Sequence, residues 1–464
     1  MKKILVLLIC IGILPIFNGC NKKDDIPKYN IKISLQNNVL VGEMNVEFYL
    51  PTNNYVDFNL FASAYRENTE FFALNQEDLP LVKEFGNMEI LEVEGSNETS
   101  WKTIKDNSIL RVNLTKKKNE KVKVFIKYKI TLSNFNHRLS IGENCVNLGN
   151  FYPILCVYNS SYVHCPYYSI GDPFYSQVAN YFVELTCSGE YVVASSGFCT
   201  KTKVVDDKTT YYYNLNKARD FALCLSKNFN VEMVKYKNTD VYYYYLDENF
   251  QEEISVIKDC FNYFNSIYPY PYKTYSVCQT NFCYGGMEYP ALVYVNNELT
   301  SEEKLLTIVH ETAHQWWYSI VGNNQITDAC LDEGLTEFFT ILFFEKYQKY
   351  NISSKNLLTQ KITNYNNFVT SYKVKYGLDI SLSPTRNLSE YKSEADYVFT
   401  NYYYMPYSLY QIYSQSKEGF INAVKKFAKD YAFKEASIKN FSNYFYGAEK
   451  TYFNLVLQGK GVIA

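Results

Sequence analysis

Two of the chain's four histidines lie four residues apart around a glutamate, His310-Glu311-Thr312-Ala313-His314, and Glu333 follows nineteen residues after the second. At this composition chance produces the H-E-x-x-H pattern on the order of 0.002 times per chain, so the spacing carries information. Residues four apart on a helix stand one above the other, so His310 and His314 can present ring nitrogens to one ion. Glu311 lies about 100° round the helix from His310, near that ion but off the ligand face, and is free to act as a base. Two histidine nitrogens and a Glu333 carboxylate leave one position open on a tetrahedral Zn²⁺, which is the catalytic arrangement and not the closed structural one. One zinc per chain is therefore expected, held by His310, His314 and Glu333. The open position would take a water whose proton Glu311 removes.

The neighbouring sequence supplies helices for these residues. Thr300 with Glu303 forms a capping-box pattern, the run Leu305, Leu306, Ile308, Val309 is apolar, and Gly322 offers a stop. A second helix is expected from near Asp332 through Phe338, Phe339, Ile341, Leu342 and Phe343, with Glu333 in its first turn. Glu337, one turn on, either accepts the free ring N–H of a ligand histidine or is a solvated helix carboxylate. Upstream, Gly285-Gly286-Met287-Glu288-Tyr289 precedes Pro290-Ala-Leu-Val-Tyr-Val295, which reads as a strand whose edge a peptide can join. The glycine pair would let another backbone approach closely.

The zinc pattern with Glu333 in Leu331-Asp332-Glu333-Gly334-Leu335-Thr336-Glu337, together with Gly285-Gly286-Met287-Glu288-Tyr289, resembles the M1 family of zinc aminopeptidases, gluzincins with thermolysin-like catalytic domains. The resemblance implies that Glu288 holds the α-amino group of a peptide with a free N-terminus, and that Gly285, Gly286 and Met287 line the extended peptide. It also implies a tyrosine hydroxyl that stabilises the tetrahedral intermediate. In Val398-Phe-Thr-Asn-Tyr402-Tyr403-Tyr404-Met-Pro406 the register of the following helix selects Tyr402, with Tyr403 as the alternative. Tyr289 stands where the family has asparagine, and Cys330 where tryptophan is often found; Cys330 is expected to be a small buried hydrophobe. The implied activity is removal of N-terminal amino acids. The alternatives are a zinc endopeptidase, which needs Glu288 turned away from the cleft, and a catalytically inactive peptide-binding surface lipoprotein.

The 464 residues, 47% hydrophobic, suffice for two or three domains with substantial cores, and the formal charge of −2 gives no reason to expect a nucleic-acid partner. Lys2 and Lys3 precede an apolar run from Ile4 to Phe17 that ends at Gly19-Cys20 before the polar Asn21-Lys-Lys-Asp-Asp25. This resembles a bacterial lipoprotein signal over residues 1–20, which implies a lipid anchor at Cys20 and an extracytoplasmic, membrane-attached protein; a plain secretory signal is the alternative. Residues 28–227 are rich in short alternating runs and read as an antiparallel β domain, with Lys116-Lys-Lys-Asn-Glu120 as a charged hairpin tip. Leu148-Gly-Asn-Phe-Tyr-Pro153 and Gly171-Asp-Pro-Phe-Tyr175 resemble the family's N-terminal domain, which often supplies a second residue to the substrate amine; Glu143, Asn147 and Asn150 are weak candidates. Residues 228–464 read as a mainly helical zinc-peptidase domain with its own small sheet, giving an α+β fold. Only residues 350–464 remain for the helices that roof the site in many family members, so a more open cleft is expected. The ten cysteines beyond Cys20 contain no C-x-x-C pair, which argues against a cysteine zinc site; their pairing and the oligomeric state are not legible.

Overall fold

A computed structural model describes residues 26–74, 79–95, 99–247, 251–377 and 383–461. Cys20 and the leader lie outside the described residues. The chain has an N-terminal β-rich region followed by a helical C-terminal domain.

The period-two runs of the first half fold into sheets. In Lys28–Gln36 every second side chain, Tyr29, Ile31, Ile33 and Leu35, is buried. That strand sits in the middle of a seven-stranded sheet ordered Phe198–Val205, Lys208–Ala218, Ala179–Ser188, Lys28–Gln36, Val39–Tyr49, Lys121–Thr131, Asn87–Glu94. Neighbours are antiparallel except Lys28–Gln36 with Ala179–Ser188, which run parallel. The charged segment Lys116–Glu120 is not a hairpin tip. The strand before it, Ile109–Asn113, pairs with Tyr55–Asn59 in a different, four-stranded sheet, and the strand after it belongs to the seven-stranded one. The segment therefore crosses between the two sheets, held by Asn54 N–H to Lys116 O at 3.0 Å and Asn119 N–H to Leu50 O at 2.8 Å.

The second half begins with a five-stranded sheet ordered Asn230–Tyr236, Thr239–Tyr245, Thr274–Thr280, Leu292–Asn296, Gly286–Met287. The strand expected to offer a free edge, Leu292–Asn296, is interior, flanked by Thr274–Thr280 and by Gly286–Met287. The outer edge is therefore the Gly286–Met287 segment itself. Helix α1 (Gln251–Phe264) packs on helix α2 (Ser301–Ala313), which lies against α3 (Gln325–Lys346), and α4 (Ser354–Tyr376) packs on α3. Two buried apolar clusters result, one mostly among the sheets and one among the helices, the latter including Phe261, Phe264, Trp316, Phe338 and Phe339.

Two helix boundaries differ from the sequence expectation. Helix α2 starts with the capping box, Glu303 N–H donating to Thr300 Oγ1, but it ends at Ala313 with His314 as its cap, well before Gly322. Residues 314–321 turn widely instead, with Ser319 N–H bonding His314 O at 3.0 Å, and bury Trp316 and Trp317. Helix α3 starts at Gln325 and kinks at Asp328 (φ −140°), so Glu333 lies beyond its first turn. The function of Gly322 is close approach: a Cβ there would lie 1.8 Å from the guanidinium carbon of Arg219. Arg219 is buried and donates to Tyr318 O (3.0 Å), Ser176 O (3.3 Å) and Lys434 O (2.7 Å), joining the β region to the helices. Gly322→Ala is accordingly expected to lower stability by about 1–3 kcal/mol, as overpacking does in a well-filled interior. Urea unfolding checks this; an unchanged midpoint would contradict the packing account.

Candidate active site

The last turn and cap of α2 and the turn of α3 beyond its kink bring three acceptor atoms to one point. His310 Nε2 lies 3.1 Å from His314 Nε2, and Glu333 Oε2 lies 3.3 Å from the first and 3.4 Å from the second. His314 Nδ1 is 3.1 Å from Trp317 O, a carbonyl that can only accept, so the proton sits on Nδ1 and Nε2 presents a lone pair. His310 Nδ1 is 2.9 Å from Glu337 Oε1, an ion-pair contact on the side of the ring away from Glu333. Glu337 thus takes the orienting position and not the solvated one. Glu333 Oε2 is buried with no hydrogen-bond donor. Three buried acceptors facing one another require a cation, and their separations match the ~3.3 Å expected between ligand atoms of a tetrahedral zinc with bonds of about 2.0–2.1 Å. The C-terminal end of α2 adds favourable dipole potential for a positive ion.

The titration of these groups repeats that demand in protons. Burial lowers the His310 pKa, but Glu333 and Glu337 outweigh it and raise it to about 10. Burial raises the Glu333 carboxyl, but His314 and His310 overcome this and hold it well below the ordinary range. Burial pushes Glu311 up to about 8 against the pull of the two histidines. A carboxylate tuned towards neutrality suits proton transfer at physiological pH.

Gly286 decides where Glu311 stands. A Cβ on Gly286 would lie 2.4 Å from Glu311 Oε1, so the missing side chain makes room for the base. The space at this glycine is filled by Glu311, whereas a Cβ on Gly285 would meet nothing closer than Thr307 Oγ1 at 3.6 Å. Beyond Met287, whose sulfur lies 3.1 Å from Arg138 Nε, the chain is pinned to the turn after α2. Ala291 N–H donates to Gln315 Oε1 at 2.7 Å, and Gln315 Nε2 to Tyr289 O at 3.1 Å. This holds Glu288 with a carboxylate oxygen within 4.8 Å of donor atoms on both Glu311 and His314. Gln325 Nε2 donates to Glu288 Oε1 at 2.7 Å and to Asp332 Oδ2 at 2.9 Å. Burial first, then the Asp172 carboxylate, pushes Glu288 up to about 7 against the opposing pull of His314.

A cleft of about 360 Å³ is lined among others by His310, Glu311, Gly285, Gly286, Tyr402, Asp172 and Arg138, with Glu288 buried behind its wall. Tyr402 stacks on His310, ring centroids 5.7 Å apart and 12° from parallel. Tyr403 packs on Phe399 and beneath Lys361 and does not line the cleft. Tyr397, Asp172, Arg138 and Lys361 were not singled out in the sequence. Asp172, in the quoted Gly171-Asp-Pro-Phe-Tyr175 stretch, is bonded by the Arg138 guanidinium, and Tyr397 meets Tyr402 edge-on. The weak candidates lie elsewhere: Glu143 is exposed, Asn147 bonds the backbone at His137 and Asn281, and Asn150 bonds Asp220. Cys330 is fully buried, and the ten cysteines among the described residues are all free thiols.

A buried pair of histidines and a glutamate from consecutive helices, with a second glutamate between the histidines, defines a metallopeptidase-type centre. Residues 248–458 match the Peptidase family M1 domain. Human aminopeptidase B is 27% identical over 146 residues, 29% of this chain and 22% of its own length, and the rat protein matches to the same extent. The chain thus spans about a fifth of those relatives. An M1 zinc metallopeptidase from Deinococcus radiodurans shares the fold, with a TM-score of 0.68, 12% identity and 95% of each chain covered. A two-domain M1 zinc metallopeptidase variant bound to L-tryptophan gives 0.64 and 13%, again with 95% of both chains covered.

If the convergent donors hold the metal, His310→Ala, His314→Ala and Glu333→Ala each lose stoichiometric zinc, whereas Glu288→Ala retains it. Metal analysis of purified protein after dialysis checks this, and full zinc in the Glu333→Ala protein would remove Glu333 from the ligand set.

Proposed function

We propose that the protein is a zinc aminopeptidase that removes N-terminal residues from peptides with a free amine. The observation that carries this reading is Glu288: a buried carboxylate beside the zinc donors and the base, with Asp172 near enough to raise its pKa. A substrate ammonium would relieve that electrostatic demand and fix which peptide bond lies at the donors. An endopeptidase needs Glu288 turned away, and its orientation towards Glu311 and His314 favours the exopeptidase. An inactive binding protein fits less well, because the full set of groups that the chemistry needs is present. The matched fold is also that of an M1 zinc metallopeptidase variant bound to a Tyr-Ser-Ala substrate.

Zinc held by His310, His314 and Glu333 would supply Lewis acidity, lowering a water's pKa and polarising the scissile carbonyl. Glu311, resting against Gly286, takes the water's proton and passes it to the leaving amine. The Tyr402 hydroxyl, which burial and Glu333 keep protonated, donates to the developing oxyanion. Glu288 and Asp172 hold the ammonium, and the Gly286–Met287 edge pairs with the extended peptide. The lipoprotein-like leader extends the proposal to a chain anchored through a lipid on Cys20 and facing peptides outside the cytoplasm. No helix among the described residues is long and apolar enough to cross a membrane.

The zinc-loaded protein should hydrolyse amino-acid anilides and leave N-acetylated peptides intact. Glu288→Ala should raise KM and lower kcat on the free-amine substrates, since binding energy at the amine positions the reacting bond. Internal cleavage of acetylated peptides at comparable rates, with Glu288→Ala neutral, would make it an endopeptidase.

A further inference from the structure

Lys361 has no assigned task, yet it reaches the cleft from α4 and its side chain is only 13% exposed. Its ammonium makes two directed contacts at once. Nζ lies 2.6 Å from Glu337 Oε2, the carboxylate whose other oxygen faces His310 Nδ1, and 2.8 Å from the backbone carbonyl of Tyr402. It also sits 4.9 Å above the Tyr403 ring. Tyr402 lies in a wide, π-helical turn, Phe399–Tyr404. Such turns are locally irregular and recur at functional sites, so the position of a side chain on one depends on what braces it. Here the brace runs from His310 through Glu337 and Lys361 to the Tyr402 carbonyl, and it closes on itself where the Tyr402 ring stacks on His310.

We propose that Lys361 is a positioning residue that ties the Tyr402 turn to the histidine-orienting carboxylate and thereby sets the tyrosine hydroxyl relative to the metal donors. This rests on the peptidase reading, in which Tyr402 acts on the tetrahedral state. A group that merely supports the fold would weaken ground-state and transition-state binding alike, whereas a brace on the oxyanion donor affects only the latter.

The test uses full-length, zinc-loaded protein carrying Lys361→Met, Tyr402→Phe or both, with leucine anilide as substrate. Calorimetry measures the phosphinic analogue of Leu-Leu as tetrahedral mimic and L-leucine as ground-state probe. Lys361→Met should keep its zinc and lose about tenfold in kcat and in phosphinate affinity, at the low end of what losing an orienting partner costs. Affinity for L-leucine should stay within about twofold. In the Tyr402→Phe background the same substitution should cost less than about twofold, because the brace then has nothing to place. Should Lys361→Met fail to fold, Lys361→Arg carries the same comparison, since a planar guanidinium cannot reproduce both contacts. Equal losses in both backgrounds, equal weakening of phosphinate and L-leucine, or loss of zinc would overturn the proposal. Wild-type protein that neither hydrolyses the anilide nor binds the phosphinate would remove the peptidase reading and this proposal with it; activity with additive losses would sink the proposal alone.

Discussion

Three buried acceptor atoms held within 3.4 Å of one another repel unless a cation lies between them, and much of the catalytic half is arranged to keep them there. The cost of this arrangement is met by tertiary structure. His314 sits at the end of α2 because the following residues turn widely to bury Trp316 and Trp317, and its Nδ1 proton goes to Trp317 O within that same turn. Glu333 is delivered by a helix buried on nearly every side, which leaves its carboxylate no alternative partner in water. Glu337 and Lys361 then fix the outer histidine. Orienting partners of this kind typically contribute 10–100-fold to metal affinity or activity.

The β region contributes charge and walls to the same place. Asp172 and Arg138 come from it to the cleft, and Arg219 fastens it to the turn after α2 and to the C-terminal helices. The cleft thus combines groups far apart in the chain. Its lining combines acidic side chains, Asp172, Glu311 and Glu337, with the apolar Leu306, Ile341 and Leu357.

The convergence of His310, His314 and Glu333 was legible because one ion would dictate both residue types and helical spacing. The capping box was legible because its chemistry is local. Glu288 and Tyr402 were legible only through resemblance to a family, since a lone glutamate or one tyrosine among 47 carries no spacing signal. Arg138 and Lys361 were not legible at all, and Asp172 only as a member of the Gly171–Tyr175 stretch: each acquires its place from a tertiary approach that no local pattern encodes. Gly322 illustrates the opposite error. Glycine after an apolar helix commonly marks a C-terminus, but here the close passage of Arg219 set the requirement. Lys116–Glu120 misled for a related reason, because alternation identifies strands and not the sheet each will join.

The central claim is a division of labour: His310, His314 and Glu333 hold the metal, and Glu311, seated against Gly286, does the proton transfer. The most direct measurement is zinc content alongside anilide hydrolysis in Glu311→Gln. The account predicts full zinc with turnover reduced at least about a hundredfold, the scale of a lost general base. Near-normal turnover in a zinc-loaded Glu311→Gln protein would contradict it.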